Sequence, residues 1–595
     1  LYNLNNRIGV MPFGAPSVFG FYLPEYSPAG PIANAGLVSP QAQLATSPNI
    51  LGFLNGATSL VDVGLTSCDS GFGVSQNTYG RSCGKIGPNN IDGSLTYIPP
   101  TTNNTADGIV DDLNLLLTAG RLHKNMRSAL VKEYNAIANK TTAINQVVKL
   151  IVASSEYQTN SLNLLTVTQR QAPPLVTGGG RRFKAIVVVF ELGGFDSYNL
   201  VVPHSLCTGK DLYTEYATVR QGAALNQSQI LQIDVPTGTQ PCRKFCVHPA
   251  MPQLRQLYVE KDAMFVANIG AMVEPITRAE FNQKTKRVPP SLFAHNIMQR
   301  SVQNVYAQSI SAEGILGRIT DSVVSNSVPY KSAIYSFAGK TKMVQGDTPA
   351  DFLSPTGGVI QMRNLASVKN GLNNITQYVS NSIFAETYAD QLFNSLIKSE
   401  SLGNMLSRTN LSTTFGKSSL DQQMQQVAKI IKMLPTQENV ERAVFFTQTG
   451  GFDTHNTFDL APILSPIDSA LGSFAKEMKA QGRWDDVVVV SASDFARTLY
   501  SNGKGTDHAW GGNHFVAGGK VKGGQILGSY PTTLSDEGEL SLGRGRLIPT
   551  TPFEAVWTGI SEWFGVTPAQ MAEVLPNAAN FPKTQLFNMT QLFTP

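Results

Sequence analysis

The chain has 595 residues, of which 42% are hydrophobic and only 15% charged, and its formal net charge is +4 at pH 7. That length calls for more than one domain and can bury a core without disulfides. The charge is too small and too dispersed to favour nucleic acid or an anionic membrane as a partner, and no apolar run reaches the roughly 18 residues of a transmembrane segment.

Charged residues fall below the ~25% of ordinary globular chains. Asn, Gln, Ser and Thr fill the difference, which suits a secreted protein or one whose faces are buried in an assembly. The sequence opens on Leu1 with no signal-peptide pattern, so it reads as a processed product or a piece of a longer chain. Residues 1 to about 55 are rich in Pro, Gly and aromatics, as in Pro12 to Gly20, and read as an irregular, packed segment. Residues 66 to 106 read as a long Gly/Ser/Asn/Thr-rich loop, bracketed by Cys68 and Cys83 as a disulfide staple. From Asp111 the pattern turns helical. Leu113, Leu116, Leu117 and Gly120 mark one helix, Met126, Leu130 and Tyr134 a second, and Val147, Leu150, Ile151 and Tyr157 a third.

Thr166 to Arg182, with Pro173-Pro174 and Gly178-Gly179-Gly180, reads as the linker. The division expected is thus a mainly helical and irregular region over 1–170, a Pro/Gly linker over 171–182 and a large domain over 183–595. In the last, apolar strands are expected at 184–190, 263–268, 443–448 and 487–491, with helices at 421–434 and 462–480 between them. Such alternation predicts an α/β fold, a mostly parallel sheet flanked by helices. Cys207 has two candidate partners, Cys242 and Cys246, and the thiol left over is free or intermolecular; Cys207 and Cys242 are carried forward as the pair. No His stands at ligand spacing beside the cysteines apart from His248, which disfavours a zinc site there. Glycosylation sequons occur at Asn103, Asn139, Asn226, Asn374, Asn410 and Asn588.

Three strand ends carry acidic or His residues beside glycines: Gly193-Gly194-Phe195-Asp196, Gly450-Gly451-Phe452-Asp453-Thr454-His455, and Ser493-Asp494-Phe495-Ala496-Arg497 leading to Gly505-Thr506-Asp507-His508 and on to His514. Ligand sites in such sheets gather beyond the carboxyl ends of the strands. A lone Asp after Gly-Gly is often only a turn or cap, but three sets at successive strand ends point to a metal centre. Mixed Asp/His ligation suits zinc or manganese, and oxygen-only ligation magnesium or calcium. His123, His204 and His248 lack such company and read as structural.

Gly450 to His455, Ser493 to Arg497 and Gly505 to Gly512, with Gly193 to Asp196, His248 to Met251 and Gly518 to Gly524 in the same order, resemble the unknown-function family 1501. That family is a mostly bacterial, often exported branch of the alkaline phosphatase superfamily, and the resemblance spans 183–595. It implies an alkaline-phosphatase-like fold and a divalent metal held by Asp196, Asp453, His455, Asp507 and His508. Asp494 and His514 are implied behind these ligands, with Arg497 as a substrate contact. Pro16 to Tyr22, Leu115 to Gly120 and Leu150 to Gln158 resemble the C-terminal end of the unknown-function family 1800. This implies the missing N-terminal part of such a precursor as a partner.

One departure stands out. Members of family 1501 often carry a Leu-Phe-Ser-His-Asn-Asp-like segment where this chain has Leu292-Phe293-Ala294-His295-Asn296-Ile297. Ala294 then occupies the expected nucleophile position and cannot attack; Ser291 lies three residues earlier, and His295 and Arg497 remain as catalytic candidates. Two readings follow. The favoured one is a secreted or cell-surface structural protein on a catalytically impaired scaffold, self-assembling or binding other surface proteins. The other is a metal-dependent extracytoplasmic hydrolase of phosphate or sulfate esters.

Overall fold

The computed structural model describes residues 32, 35–38, 45–73, 91, 93–171, 178–309, 312–354 and 358–595. The chain forms two compact units. A helical unit takes residues 1–175, 352–354 and 359–407, and an α/β unit takes 176–351, 355–358 and 408–595. Pro12 to Gly20, Pro16 to Tyr22, Cys83 and Pro173-Pro174 lie outside the described residues. Cys68 is disulfide-bonded.

The helical unit starts from capped amphipathic segments. Thr46, Thr105 and Asn139 each accept a backbone N–H at the start of the helices Ser47–Val63, Ala106–Thr118 and Lys140–Ala153, and His123 does so for Lys124–Ala136. Their inner faces, among them Leu51, Leu113, Leu130 and Ile151, share one core with Leu372 of the helix Leu365–Thr376 and Leu392 of the helix Ile383–Arg408. Residues 359–407, counted with the large domain from the sequence, therefore complete the helical unit. Two further expectations change. The helix Ser47–Val63 begins inside the stretch expected to be irregular, and Leu165–Gln169, just before the linker expected over 171–182, is a strand paired antiparallel with Tyr378–Ser380. Leu116, expected on a buried helical face, is exposed.

In the α/β unit, apolar runs buried along most of their length form β1 (Lys184–Glu191), β2 (Ala263–Gly270), β4 (Arg442–Thr449) and β5 (Val487–Ser493), and the sheet is extended by β3 (Ser332–Ser336), β6 (Gly512–Ala517), β7 (Ile526–Gly528) and β8 (Thr551–Pro552). Their order across the sheet is β7-β2-β6-β5-β1-β4-β3, with β8 also on β2. The β5-β1-β4-β3 segment is parallel, and β6 runs antiparallel to both β5 and β2. The fold is thus α/β with a parallel centre, flanked by helices such as Ser419–Gln437 on β4 and Ile315–Val324 on β3. Register sets up the site: Glu191 is level with Thr449 on one side and Ser493 on the other. The three loops that follow β1, β4 and β5 therefore leave the sheet side by side.

Beside the main sheet, Val201–Cys207 and Leu231–Asp234 pair with Cys242–Val247. Cys207 sits directly opposite Cys242 and forms a disulfide with it, while Cys246, opposite Val202, is a buried free thiol. All six sequon asparagines are exposed. No helix of the described residues is long and apolar enough to cross a membrane.

Candidate metal centre

Glycine brings the strand-end loops together. Gly193 and Gly194 after β1 have φ of 123° and 84°, and Gly451 after β4 has φ of 97°, a region that other residues rarely adopt. A Cβ on Gly193 would lie 2.5 Å from the backbone nitrogen of Asp453, and one on Gly194 would lie 2.4 Å from the Phe495 ring. Arg497, fully buried, ties the three loops. Its Nη1 donates to Gly193 O at 2.8 Å and to Asp453 Oδ1 at 3.0 Å, and its Nε and Nη2 donate to Thr506 O at 3.2 and 2.7 Å.

Four side chains then converge. Asp453 and His455 come from the loop after β4. His508 comes from the short strand Thr506–His508, which pairs with Arg497–Ser501. His295 opens the helix His295–Asn304, where Ala294 is the N-cap and offers no side-chain cap bond. His295, Asp453 and His508 present ligand atoms that all lie within 4.8 Å of one another. Asp453 Oδ1 is 3.6 Å from His295 Nε2, 3.3 Å from His508 Nε2 and 3.0 Å from His455 Nε2, and the last is 3.0 Å from His508 Nε2. Zinc bonds of about 2.0–2.1 Å at tetrahedral angles separate ligand atoms by roughly 3.3 Å, the scale seen here.

The outer nitrogens decide the tautomers. His508 Nδ1 donates to Phe293 O at 2.7 Å, since a carbonyl can only accept. His295 Nδ1 is 2.7 Å from Oδ2 of the fully buried Asp494, which also accepts from Gln299 Nε2 at 2.9 Å. His455 Nδ1 is 3.1 Å from Asp507 Oδ1. Burial works against ionisation of Asp507, yet hydrogen bonds from Asn502, His455 and Arg544 bring its carboxyl down to about 2, so it accepts. Each imidazole, held at Nδ1, thus presents Nε2 to the Asp453 carboxylate. Burial opposes the charge on Asp453 too, but the neighbouring Arg497 guanidinium holds its carboxyl below the usual range. Burial, with Arg497 nearby, also depresses His508, which favours neutral imidazole. Nε2 of His295 and of His508 and Oδ1 of Asp453, facing one another, form a donor set that suits a cation, with His455 beside it. The nitrogen-rich donor set, each outer N–H held by an acceptor, fits a borderline divalent ion.

The sequence of residues 183–541 matches the family described as "Protein of unknown function (DUF1501)", well over half of the chain. The chain belongs to the DUF1501 family. No curated protein matches it. Among solved structures it is similar to Ps i-CgsB in complex with k-i-k-neocarrahexaose (11% identity, 65% of this chain and 73% of that one, TM-score 0.29). It is also similar to the lipoteichoic acid synthase LtaP from Listeria monocytogenes (11%, 66% and 74%, 0.24) and to the C-terminal periplasmic domain of EcEptC from Escherichia coli in complex with Zn (10%, 59% and 78%, 0.25).

Within this DUF1501 domain, the structure brings Asp453, His455 and His508 together and sets Asp507 behind His455. Asp196 Oδ2 accepts from Arg220 Nη2 at 2.5 Å, both side chains are buried, and among the described residues Asp196 Oδ1 takes no hydrogen bond. Asp494 stands behind His295. His514 lies inside the sheet, its Nδ1 3.2 Å from Ser491 Oγ and 3.3 Å from Glu191 Oε2. Arg497 has each of its nitrogens committed to the protein. Ser291 is exposed. Among the described residues, the rings of His123, His204 and His248 bond only to near neighbours, Asn125 N, Ser205 Oγ and Ala250 N. Sequence reasoning gave His295 no ligand role, although its place directly after Ala294 in the family segment was the available signal.

Proposed function

We propose that this protein is an extracytoplasmic metal-dependent hydrolase of phosphate or sulfate esters. The observation that carries the reading is the convergence of His295 Nε2, Asp453 Oδ1 and His508 Nε2, the two imidazoles held at Nδ1 and the carboxylate oxygen held by Arg497. These three residues would hold a zinc-like ion. Such an ion supplies Lewis acidity, polarising a phosphoryl or sulfuryl oxygen and making water more acidic. The chain's own residues do the rest. Asp494 and Phe293 O fix the two imidazoles, and Arg497 fixes Asp453. His455, oriented by Asp507, takes the proton from the attacking water and returns it to the leaving alcohol, so no side-chain nucleophile is needed and Ala294 is no obstacle. The Cys207–Cys242 disulfide supports an oxidising compartment.

The test is metal content and turnover of 4-nitrophenyl phosphate and 4-nitrophenyl sulfate by the purified chain. Asp453→Ala should lose metal and turnover together; His455→Ala should keep the metal and lose turnover. A wild-type chain that takes up no divalent metal removes this reading. A second reading, self-assembly or docking of other surface proteins, is supported by Leu115 and Leu116, which stand 66% and 64% exposed on the helix Ala106–Thr118.

A further inference from the structure

Arg497, the arginine of the family motif, is fully buried with each nitrogen in a hydrogen bond to the protein, which leaves room for a second donor to grip an anionic ester. The turn Gly543-Arg544-Gly545-Arg546, beyond the last family-matched residue, provides it. Three successive residues are left-handed there, with φ of 89°, 57° and 68° at Gly543, Arg544 and Gly545. Left-handed backbone at a residue with a side chain persists only where the surroundings enforce it. Asp536 enforces it here. Its carboxylate accepts from Arg544 N and Gly545 N, each at 2.8 Å, and from Ser541 Oγ at 2.6 Å. Gly545 also packs so closely that a Cβ would sit 2.5 Å from Leu499 Cβ.

This rigid turn aims two guanidinium groups at the metal centre's supports. Arg544 Nη2 donates to Asp507 Oδ2 at 2.5 Å, opposite the oxygen that holds His455. Arg546 Nε donates to His508 O at 3.0 Å, and its guanidinium carbon lies 5.4 Å from the centre of the Phe293 ring, whose carbonyl holds His508 Nδ1. Arg546 is only half-buried, and among the described residues no acceptor takes a hydrogen bond from either of its Nη nitrogens. It is therefore a guanidinium fixed at one edge beside an aromatic ring, with no hydrogen bond among the described residues to its two-pronged edge.

We propose that Arg546 is the anion-binding residue of this site, donating from both Nη nitrogens to two oxygens of a tetrahedral oxyanion, and that Arg544 is a positioning residue acting through Asp507. The inference rests on the ester-hydrolase reading and names the group that recognises the ester's oxygens. A planar fork matches a phosphate or sulfate edge in a way that a lysine ammonium does not.

The test is calorimetric titration of inorganic phosphate, sulfate and tungstate into the full chain, zinc-loaded and zinc-free, with zinc stoichiometry and melting temperature measured in parallel. The wild type should bind at least one of the three anions. Arg546→Ala should weaken that binding by about 10- to 100-fold with zinc stoichiometry unchanged, and Arg546→Lys should fall between. The lysine variant carries the comparison if the alanine variant fails to fold. Equal binding by wild type and Arg546→Lys or Arg546→Ala overturns the assignment, as does a wild type that binds none of the anions. A chain that takes up no zinc overturns the hydrolase reading instead, and the zinc-free titration still decides Arg546.

Discussion

Replacing Asp494 should weaken metal binding without touching any proposed ligand. Asp494 is fully buried; its Oδ2 takes hydrogen bonds from His295 Nδ1 and Gln299 Nε2, and its Oδ1 has no partner. Asp494→Asn keeps an acceptor for His295 but removes the charge that makes the imidazole a better donor. Asp494→Ala removes both and strands the His295 N–H. Loss of an outer partner of a metal-bound histidine typically costs 10- to 100-fold in affinity, or about 1.4–2.8 kcal/mol. The asparagine variant should fall near the lower end and the alanine variant near or beyond the upper. Competition between the protein and a chromophoric zinc chelator at fixed pH measures the ratio directly. If Asp494→Ala binds zinc as tightly as the wild type while Asp453→Ala does not bind it, His295 is no ligand and the three-residue centre is wrong.

Three other outcomes are expected. Glu554, in the first turn of the helix Phe553–Phe564, is fully buried, and burial pushes its carboxyl up to about 7 despite a 2.7 Å hydrogen bond from Asn577 and the nearby Arg318. A raised folded-state value means stability is fully present below the unfolded value near 4.5 and is lost as pH rises to about 7, by about 3 kcal/mol over the interval. Urea unfolding of Glu554→Gln should therefore lack this loss and show the larger gain at pH 8; an identical pH profile in the two proteins would contradict the burial argument. Gly193→Ala should carry about 1–2 kcal/mol of backbone strain and push Asp453 away, so both melting temperature and zinc stoichiometry should drop; unchanged zinc binding would show the loops can part freely. Leu115→Asp with Leu116→Asp should abolish any self-association seen by sedimentation velocity, and an unaltered profile would remove that helix as an assembly face.

Much of the α/β unit was legible because a strand buried on both faces must be continuously apolar, as Val487 to Val490 is, and because Gly-Gly before Asp marks a sharp exit from a strand. The pairing of Asp196 with Arg220 was not legible: the partners are 24 residues apart, and nothing in either local pattern distinguishes a ligand from half of a buried ion pair. Arg546 was missed for a similar reason, since its relation to His508 exists only through the turn that Asp536 folds. The helices of residues 365–408 misled in another way. An amphipathic period looks the same whether its apolar stripe covers a sheet or joins a helical core, and Leu372 and Leu392 join Leu130 and Ile151.

That last packing has a consequence for how the protein is made. The helices that end near residue 153 leave the ribosome with their apolar faces uncovered, and the segments that seal them run to residue 407. At about 5–20 residues per second, the wait is on the order of 10–50 s, during which the first strands of the sheet emerge as well. The helical core therefore closes only after residue 407 has emerged, and a cut at residue 182 would leave its first helices without Leu372 and Leu392.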